Sequence, residues 1–271
     1  AEGGSASYAS LTAFDGRLVF EARGPGVGRE LFISDGTEAG TELLLDIVPG
    51  SENSLPVQLT PAGDRLFFVT RGEADGGGLW VTDGTTAGTQ RLKDITPETN
   101  NSGISHLTTV GDRVFFAGNT PTSGQELWVS DGTTAGTILL KDIAEGPDSS
   151  LPADFTDVNG RLFFTVQSDP QDPESDSRSI WVSDGTATGP FPVADIHPGG
   201  DSRMRAFTAL GDMLLFAGED GTHGIELWRS DGTPEGTQLV SDIWRGPGDS
   251  FINSMLNVDG RLYFAAGSQE A

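Results

Sequence analysis

The densest group of potential metal ligands is Asp169, Asp172, Glu174 and Asp176, four carboxylates within eight residues, with Pro170 and Pro173 between them. Oxygen-rich clusters suit calcium, which takes about six to eight oxygen ligands. The run lacks the glycine and closing glutamate of an EF-hand loop, so a solvated acidic insertion stands as the competing reading. A second carboxylate set, Asp46, Asp94, Asp142, Asp195 and Asp242, precedes isoleucine every time. These side chains either line a cation-binding mouth or cap the amides of turns such as Pro49-Gly50 and Gly146-Pro147, and capping is the commoner use of an aspartate at a strand end. Glu30, Glu126 and Glu226 share one repeat position, which predicts a structural hydrogen bond or an ion pair with Arg17, Arg113 or their equivalents.

The chain has three histidines, His106, His197 and His223, and no cysteine. None of the histidines stands in zinc-site spacing, and there is no Gly-x-Ser-x-Gly elbow, Walker loop or dinucleotide fingerprint. No catalytic residue is assigned on this basis. The ligand-binding candidates are His197, His223, Trp244 and Arg245. Trp80, Trp128, Trp181 and Trp228 recur at one position, as packing between repeats demands, whereas Trp244 stands outside that position, on a loop.

These residues are positioned by a repeat. Asp-Gly-Thr triplets begin at Asp35, Asp83, Asp131, Asp184 and Asp231, at steps of 48, 48, 53 and 47 residues. Each sits between short apolar runs, such as Leu127-Trp128-Val129 and Ile138-Leu139-Leu140, and so predicts a hairpin with a shaped loop. A second hairpin recurs six times, as in Asp112-Arg113-Val114-Phe115-Phe116 and Gly160-Arg161-Leu162-Phe163-Phe164. One repeat thus supplies four antiparallel strands, here called a, b, c and d in chain order. Four short strands at this period, with no helical pattern, predict an all-β fold, a β-propeller of about five four-stranded blades plus an extra C-terminal hairpin. A six-bladed ring with an incomplete blade, a fragment of a longer array and a β-solenoid remain open as alternatives. The expected organisation is a disordered lead-in at 1–7, one propeller domain at 8–266 and a tail at 267–271. In a blade of this order the b–c and d–a loops share one face, where loop variation points to a ligand. Unpaired terminal strands would favour self-association.

With 40 acidic against 16 basic residues, the formal charge is −24. Nucleic acid and anionic membrane surfaces are poor partners for such a field. No apolar run approaches the roughly 20 residues needed to span a bilayer. The start Ala1-Glu2-Gly3, without methionine, reads as that of a mature exported protein or an excised fragment.

The run Asp142-Ile143 through Gly146, Ser149, Ser150, Leu151 and Pro152, the stretch Asn159-Gly160-Arg161-Leu162-Phe163-Phe164, and the Glu-Leu-Trp-x-x-Asp-Gly-Thr core resemble the bacterial repeat proteins named for the ELWxxDGT motif. The resemblance covers nearly all of 11–264. Phe32 replaces tryptophan in the first copy, Gly78 replaces glutamate in the second, and Ser179-Ile180 departs in the fourth. The resemblance implies an exported, propeller-like module, often part of a large surface or secreted protein, and carries no agreed catalytic site. The combined expectation is a secreted or cell-surface module that binds a glycan or protein partner and is stabilised by calcium. The rival expectations are a polysaccharide-active hydrolase or lyase, and a structural spacer.

Overall fold

The computed structural model describes residues 11–72, 77–96, 103–167 and 177–267. The first repeat contributes β1 (Leu11–Phe14), β2 (Arg17–Arg23), β3 (Arg29–Ser34) and β4 (Thr41–Leu45). The second contributes β5 (Val57–Ala62), β6 (Arg65–Thr70), β7 (Gly78–Thr82) and β8 (Gln90–Lys93). The third contributes β9 (Ile104–Val110), β10 (Arg113–Thr120), β11 (Gly124–Ser130) and β12 (Ile138–Lys141). Next come β13 (Ala153–Val158), β14 (Arg161–Gln167), β15 (Arg178–Ser183) and β16 (Phe191–Ala194), then β17 (Arg205–Leu210), β18 (Met213–Glu219), β19 (Ile225–Ser230) and β20 (Gln238–Ser241). Strands β21 (Met255–Val258) and β22 (Arg261–Phe264) close the described chain. Each set of four forms one antiparallel sheet in chain order, and β21–β22 forms a two-stranded sheet. The chain divides into two compact units, 1–122 with 127–139, and 123–126 with 140–271. No helix among the described residues is long and apolar enough to cross a membrane.

The Asp-Gly-Thr hairpins close on themselves. Asp131 Oδ1 accepts from the Thr133 amide at 2.9 Å and its hydroxyl at 2.7 Å, and Thr133 Oγ1 accepts from the Gly136 amide at 2.9 Å. A Cβ on Gly136 would stand 2.0 Å from Asp131 Oδ1, so glycine is required there. Asp35, Asp83 and Asp231 repeat the arrangement. These bonds, the Thr hydroxyl's first, hold the four carboxyls below their ordinary range.

Within each unit one rule joins neighbouring repeats. The side chains of the b strand alternate between two faces, as strand geometry requires. One face, starting at the b-strand arginine, looks to the following repeat: Val19 packs with Leu66 and Phe68, Phe67 with Val114 and Phe116, and Phe163 with Leu214 and Phe216. The other face looks back and carries the c-strand ring, as in the Phe116–Trp128 and Phe216–Trp228 stacks at 6.1 and 6.4 Å between centroids. Lys93 and Lys141 lie over the rings of Trp128 and Trp181 at 5.5 and 5.2 Å. The b-strand arginine then reaches the next Asp-Gly-Thr hairpin: Arg17 donates to the Gly84 carbonyl at 3.3 Å, Arg65 to that of Asp131, and Arg161 to that of Asp231 at 3.1 Å. The motif tryptophans are therefore packing groups between repeats.

Candidate functional site

Three of the loops joining one repeat to the next are held by a buried carboxylate. Glu30, Glu126 and Glu226 open or nearly open their c strands and are fully buried. Glu126 accepts from the amides of Ile143, Ala144 and Ser150 at 3.0, 3.2 and 2.9 Å, and from the Ser150 hydroxyl at 2.6 Å. Glu30 accepts likewise from Ile47 and from Ser54, and Glu226 from Ile243 and Trp244. Burial raises all three glutamate pKa values, against the lowering effect of these bonds. The expected partnership with Arg17 or Arg113 is corrected for Glu30 and Arg17, which is spent on the next repeat's hairpin. The loop folds back to supply amides, a non-local event that the strand pattern does not encode.

The repeated aspartates cap the following turns. Asp46, Asp142 and Asp242 accept through Oδ2 from Gly50, Gly146 and Gly246, each at 3.3 Å, and their Oδ1 atoms are buried without a hydrogen-bond partner. Asp94 and Asp195 instead accept from the amides of Thr96 and His197 at 3.1 and 3.0 Å.

A serine completes the latch. Ser54, Ser150, Ser202 and Ser250 are fully buried. Ser54, Ser202 and Ser250 donate to the carbonyls of Arg29, Arg178 and Ile225, and the carbonyls of Ser54, Ser150, Ser202 and Ser250 accept from Gly72, Gln167, Glu219 and Gly267 of the next repeat's b–c segment. The residue after each serine, Leu55, Leu151, Arg203 or Phe251, sits at a φ of +50°, +48°, +45° or +58°. A side chain in this left-handed region costs about 1 to 2 kcal/mol, and the surrounding latch sustains it. Leu151 and Phe251 are 36% and 58% exposed, so the latch holds up side chains of differing chemistry on a fixed, strained backbone. Sequence reasoning missed these serines. The signal was present in the constant 24-residue step from Glu30 to Ser54 and from Glu126 to Ser150.

In the second unit three loops converge on the fifth repeat. His197 Nδ1 donates to the Asp201 carbonyl at 3.1 Å, and its ring lies against Gly221, where a Cβ would be 2.6 Å from Nε2. Gly221, at φ +81°, lies in the turn in which Asp220 Oδ2 meets His223 Nδ1 at 2.8 Å. The structure thus brings His197 to the His223 turn. The Asp220 bond raises the His223 pKa; burial works against ionisation of Asp220, but His223 and the Thr222 and His223 amides outweigh it and lower its pKa. Arg203 reaches Glu219 at 3.0 Å and Asp249 at 3.2 Å, tying the preceding and following loops together. On the following loop Trp244 is partly exposed and meets Phe251 edge-on at 6.0 Å between centroids, beside exposed Arg245. Asp169, Asp172, Glu174 and Asp176 lie outside the described residues. Among the described residues no group of three or more His, Asp or Glu side chains is arranged to hold a metal ion.

No family model matches the chain, and no curated protein matches it. Among solved structures it is similar to the β-propeller domain of the Trilobed protease from Pyrococcus furiosus, with 12% identity and a TM-score of 0.54, covering 98% of this chain and 80% of that one. It is also similar to a chain of a nidogen/laminin complex, with 13% identity, a TM-score of 0.40 and coverage of 92% and 85%. TolB from Acinetobacter baumannii matches with 14% identity, a TM-score of 0.39 and coverage of 82% and 50%. The first likeness, with the five four-stranded antiparallel sheets and the terminal hairpin, shows the β-propeller fold.

Proposed function

We propose that this chain is a non-catalytic binding module of the ELWxxDGT type that works at an extracellular or cell surface and recognises a glycan or protein through its latched loops. The observation that carries this reading is the repeated strained position after the buried serine. A backbone cost borne at four equivalent loops is spent on presenting Leu55, Leu151, Arg203 and Phe251, not on packing the core. In the fifth repeat the presented Phe251 adjoins Trp244, with Arg245, His197 and His223 on the neighbouring turns. An aromatic platform edged by polar groups suits a sugar ring or a protein side chain.

The test is a titration against panels of oligosaccharides and candidate proteins. Trp244→Ala and Phe251→Ala should each weaken binding at least about tenfold. Binding that both variants leave intact would remove this loop face from consideration. Calcium stabilisation belongs to the same proposal and rests on the acidic composition. A saturable rise in the thermal midpoint with calcium, absent with magnesium at matched ionic strength, is the expected result.

The Asp220–His223 pair favours a second reading, a polysaccharide-active enzyme with an oriented imidazole. Turnover of a polysaccharide that His223→Ala abolishes would replace the binding reading.

A further inference from the structure

Two of the chain's three histidines fall at repeat positions that elsewhere hold residues with no imidazole, carboxylate or thiolate. His197 follows the Asp-Ile pair that ends a d strand, where the other repeats have Val48, Thr96, Ala144 and Trp244. His223 stands three residues before the buried Glu226, and Val27 and Ser123 stand at the same distance before Glu30 and Glu126. Both histidines lie in the second compact unit.

Each imidazole is fixed at one nitrogen and open at the other. The Asp201 carbonyl and the Asp220 carboxylate can only accept, so each Nδ1 carries the proton, and the lone pair of the neutral ring stands on Nε2. Neither Nε2 has a hydrogen-bond partner among the described residues, and both are open to solvent. The surrounding backbone holds the rings in place. Asp220 Oδ1 takes the Thr222 and His223 amides at 2.8 and 2.9 Å, and a Cβ on Gly200 or Gly221 would stand 2.3 or 2.6 Å from His197 Nε2. The approach of His197 Nε2 to the turn that carries His223 therefore requires glycine at both positions. Histidines that bind metal almost always donate their other ring N–H to a carboxylate or a backbone carbonyl, which sets the tautomer and the ring direction. His223 has the first kind of acceptor and His197 the second.

We infer that His197 and His223 together bind, through their Nε2 atoms, a divalent transition-metal ion of the class that prefers imidazole, such as zinc. The bound ion ties the loop that leads into the fifth repeat to the turn between β18 and β19. Zinc takes about four ligands, so water or a donor from a bound partner completes the shell. Calcium and magnesium prefer oxygen ligands. The site is thus chemically distinct from the calcium stabilisation proposed above, and it stands whether or not the loop face binds a glycan or a protein.

The experiment is calorimetric titration of zinc into the full chain after metal stripping, on the wild type, His197→Ala and His223→Ala, with circular dichroism to check that each variant folds. The wild type should take up one tightly held ion per chain, and calcium or magnesium at matched ionic strength should not displace it. Each variant should bind zinc at least about tenfold more weakly. A second readout needs no variant: in wild-type protein carrying isotope-labelled histidine, zinc should move the Nε2 resonances of His197 and His223 and leave those of His106 in place. Wild-type affinity in either variant would overturn the inference, because the ion would then sit on carboxylates. A shift at only one of the two imidazoles, an equal shift at His106, displacement by calcium or the lack of saturable zinc binding would overturn it as well.

Discussion

The first, third and fifth repeats fasten the loop that follows them to a buried glutamate, whereas the second and fourth have Gly78 and Ser179 at that position. In the second, Gly78 takes the glutamate position at φ +154°, and Arg91 Nε and the Lys93 carbonyl would stand 2.7 and 2.8 Å from a Cβ placed there. Arg91 donates to the Gly77 carbonyl and pairs with Asp94 at 2.9 Å. In the fourth, Ser179 takes the glutamate position, and the Arg178 carbonyl accepts from the Ser202 hydroxyl of the following loop at 3.0 Å. The aspartate cap changes with the glutamate. In the third and fifth repeats the glutamate takes the amide two residues past the aspartate, that of Ala144 or Trp244, and the aspartate reaches on to the glycine four residues away. Where the glutamate is missing, the aspartate takes the nearer amide itself. The loop requires satisfied amides, and two different residues can satisfy them.

The largest expected effect breaks the first kind of latch. Glu126→Ala leaves the amides of Ile143, Ala144 and Ser150 and the Ser150 hydroxyl to find other partners, at a cost of about 3 kcal/mol. The measurement is the denaturant midpoint at unchanged slope. A loss below about 1 kcal/mol would mean that water replaces the carboxylate without penalty.

Writing the first kind of latch into the second repeat should fail. Gly78→Glu puts a side chain into the space of Arg91 and the Lys93 carbonyl on a backbone that favours glycine, and should destabilise by about 1 to 3 kcal/mol. A gain in thermal midpoint would show that the two latches are interchangeable at this backbone.

The exchange of amides predicts a coupling. Asp142→Ala alone removes an orphaned oxygen and one long bond, and should cost less than about 0.5 kcal/mol. In the Glu126→Ala background Asp142 should turn to the vacated Ala144 amide, as Asp94 and Asp195 do. Its removal should then cost about 1 kcal/mol more, read by a double-mutant cycle. Equal costs in both backgrounds would deny the exchange.

The legible parts of this architecture were those set by local pattern. Alternation in Arg161-Leu162-Phe163-Phe164, the turn chemistry of Asp131-Gly132-Thr133 and the aspartate caps depend on residues within a few positions of each other. The partner of Glu126 left only the constant 24-residue step to Ser150 as its signal, because Ser150 comes from a loop that reaches it only after the whole c–d hairpin has turned. The outward role of Phe251 was hidden for a related reason: a phenylalanine at positive φ has no composition signal. His197 and His223 were singled out as candidates, but their convergence on Gly221 depends on loops 20 or more residues apart.

The third and fifth repeats share the glutamate latch and differ in the b–c turn, which in the fifth carries Asp220 and His223; the smallest effect separates them by pH. The His223 pKa is raised above its ordinary 6.5 by Asp220. Its contribution to stability is therefore fully present below the unfolded value and is lost as pH rises through the raised folded one. Asp220, lowered from 3.8, contributes above its ordinary value and loses that contribution as pH falls through its folded one. The pair thus stabilises most between the two carboxyl and imidazole ranges. The His223 side chain is 35% exposed, which screens the interaction and keeps it small. His223→Gln should flatten the fall in thermal midpoint on raising the pH from about 6 to 8, and a change in the b–c turn of the third repeat, such as Thr122→Gln, should leave the profile unchanged. If the wild type and His223→Gln give parallel profiles, the imidazole is not paired in solution and the fifth repeat's turn is held by the Asp220 bonds to the Thr222 and His223 amides alone.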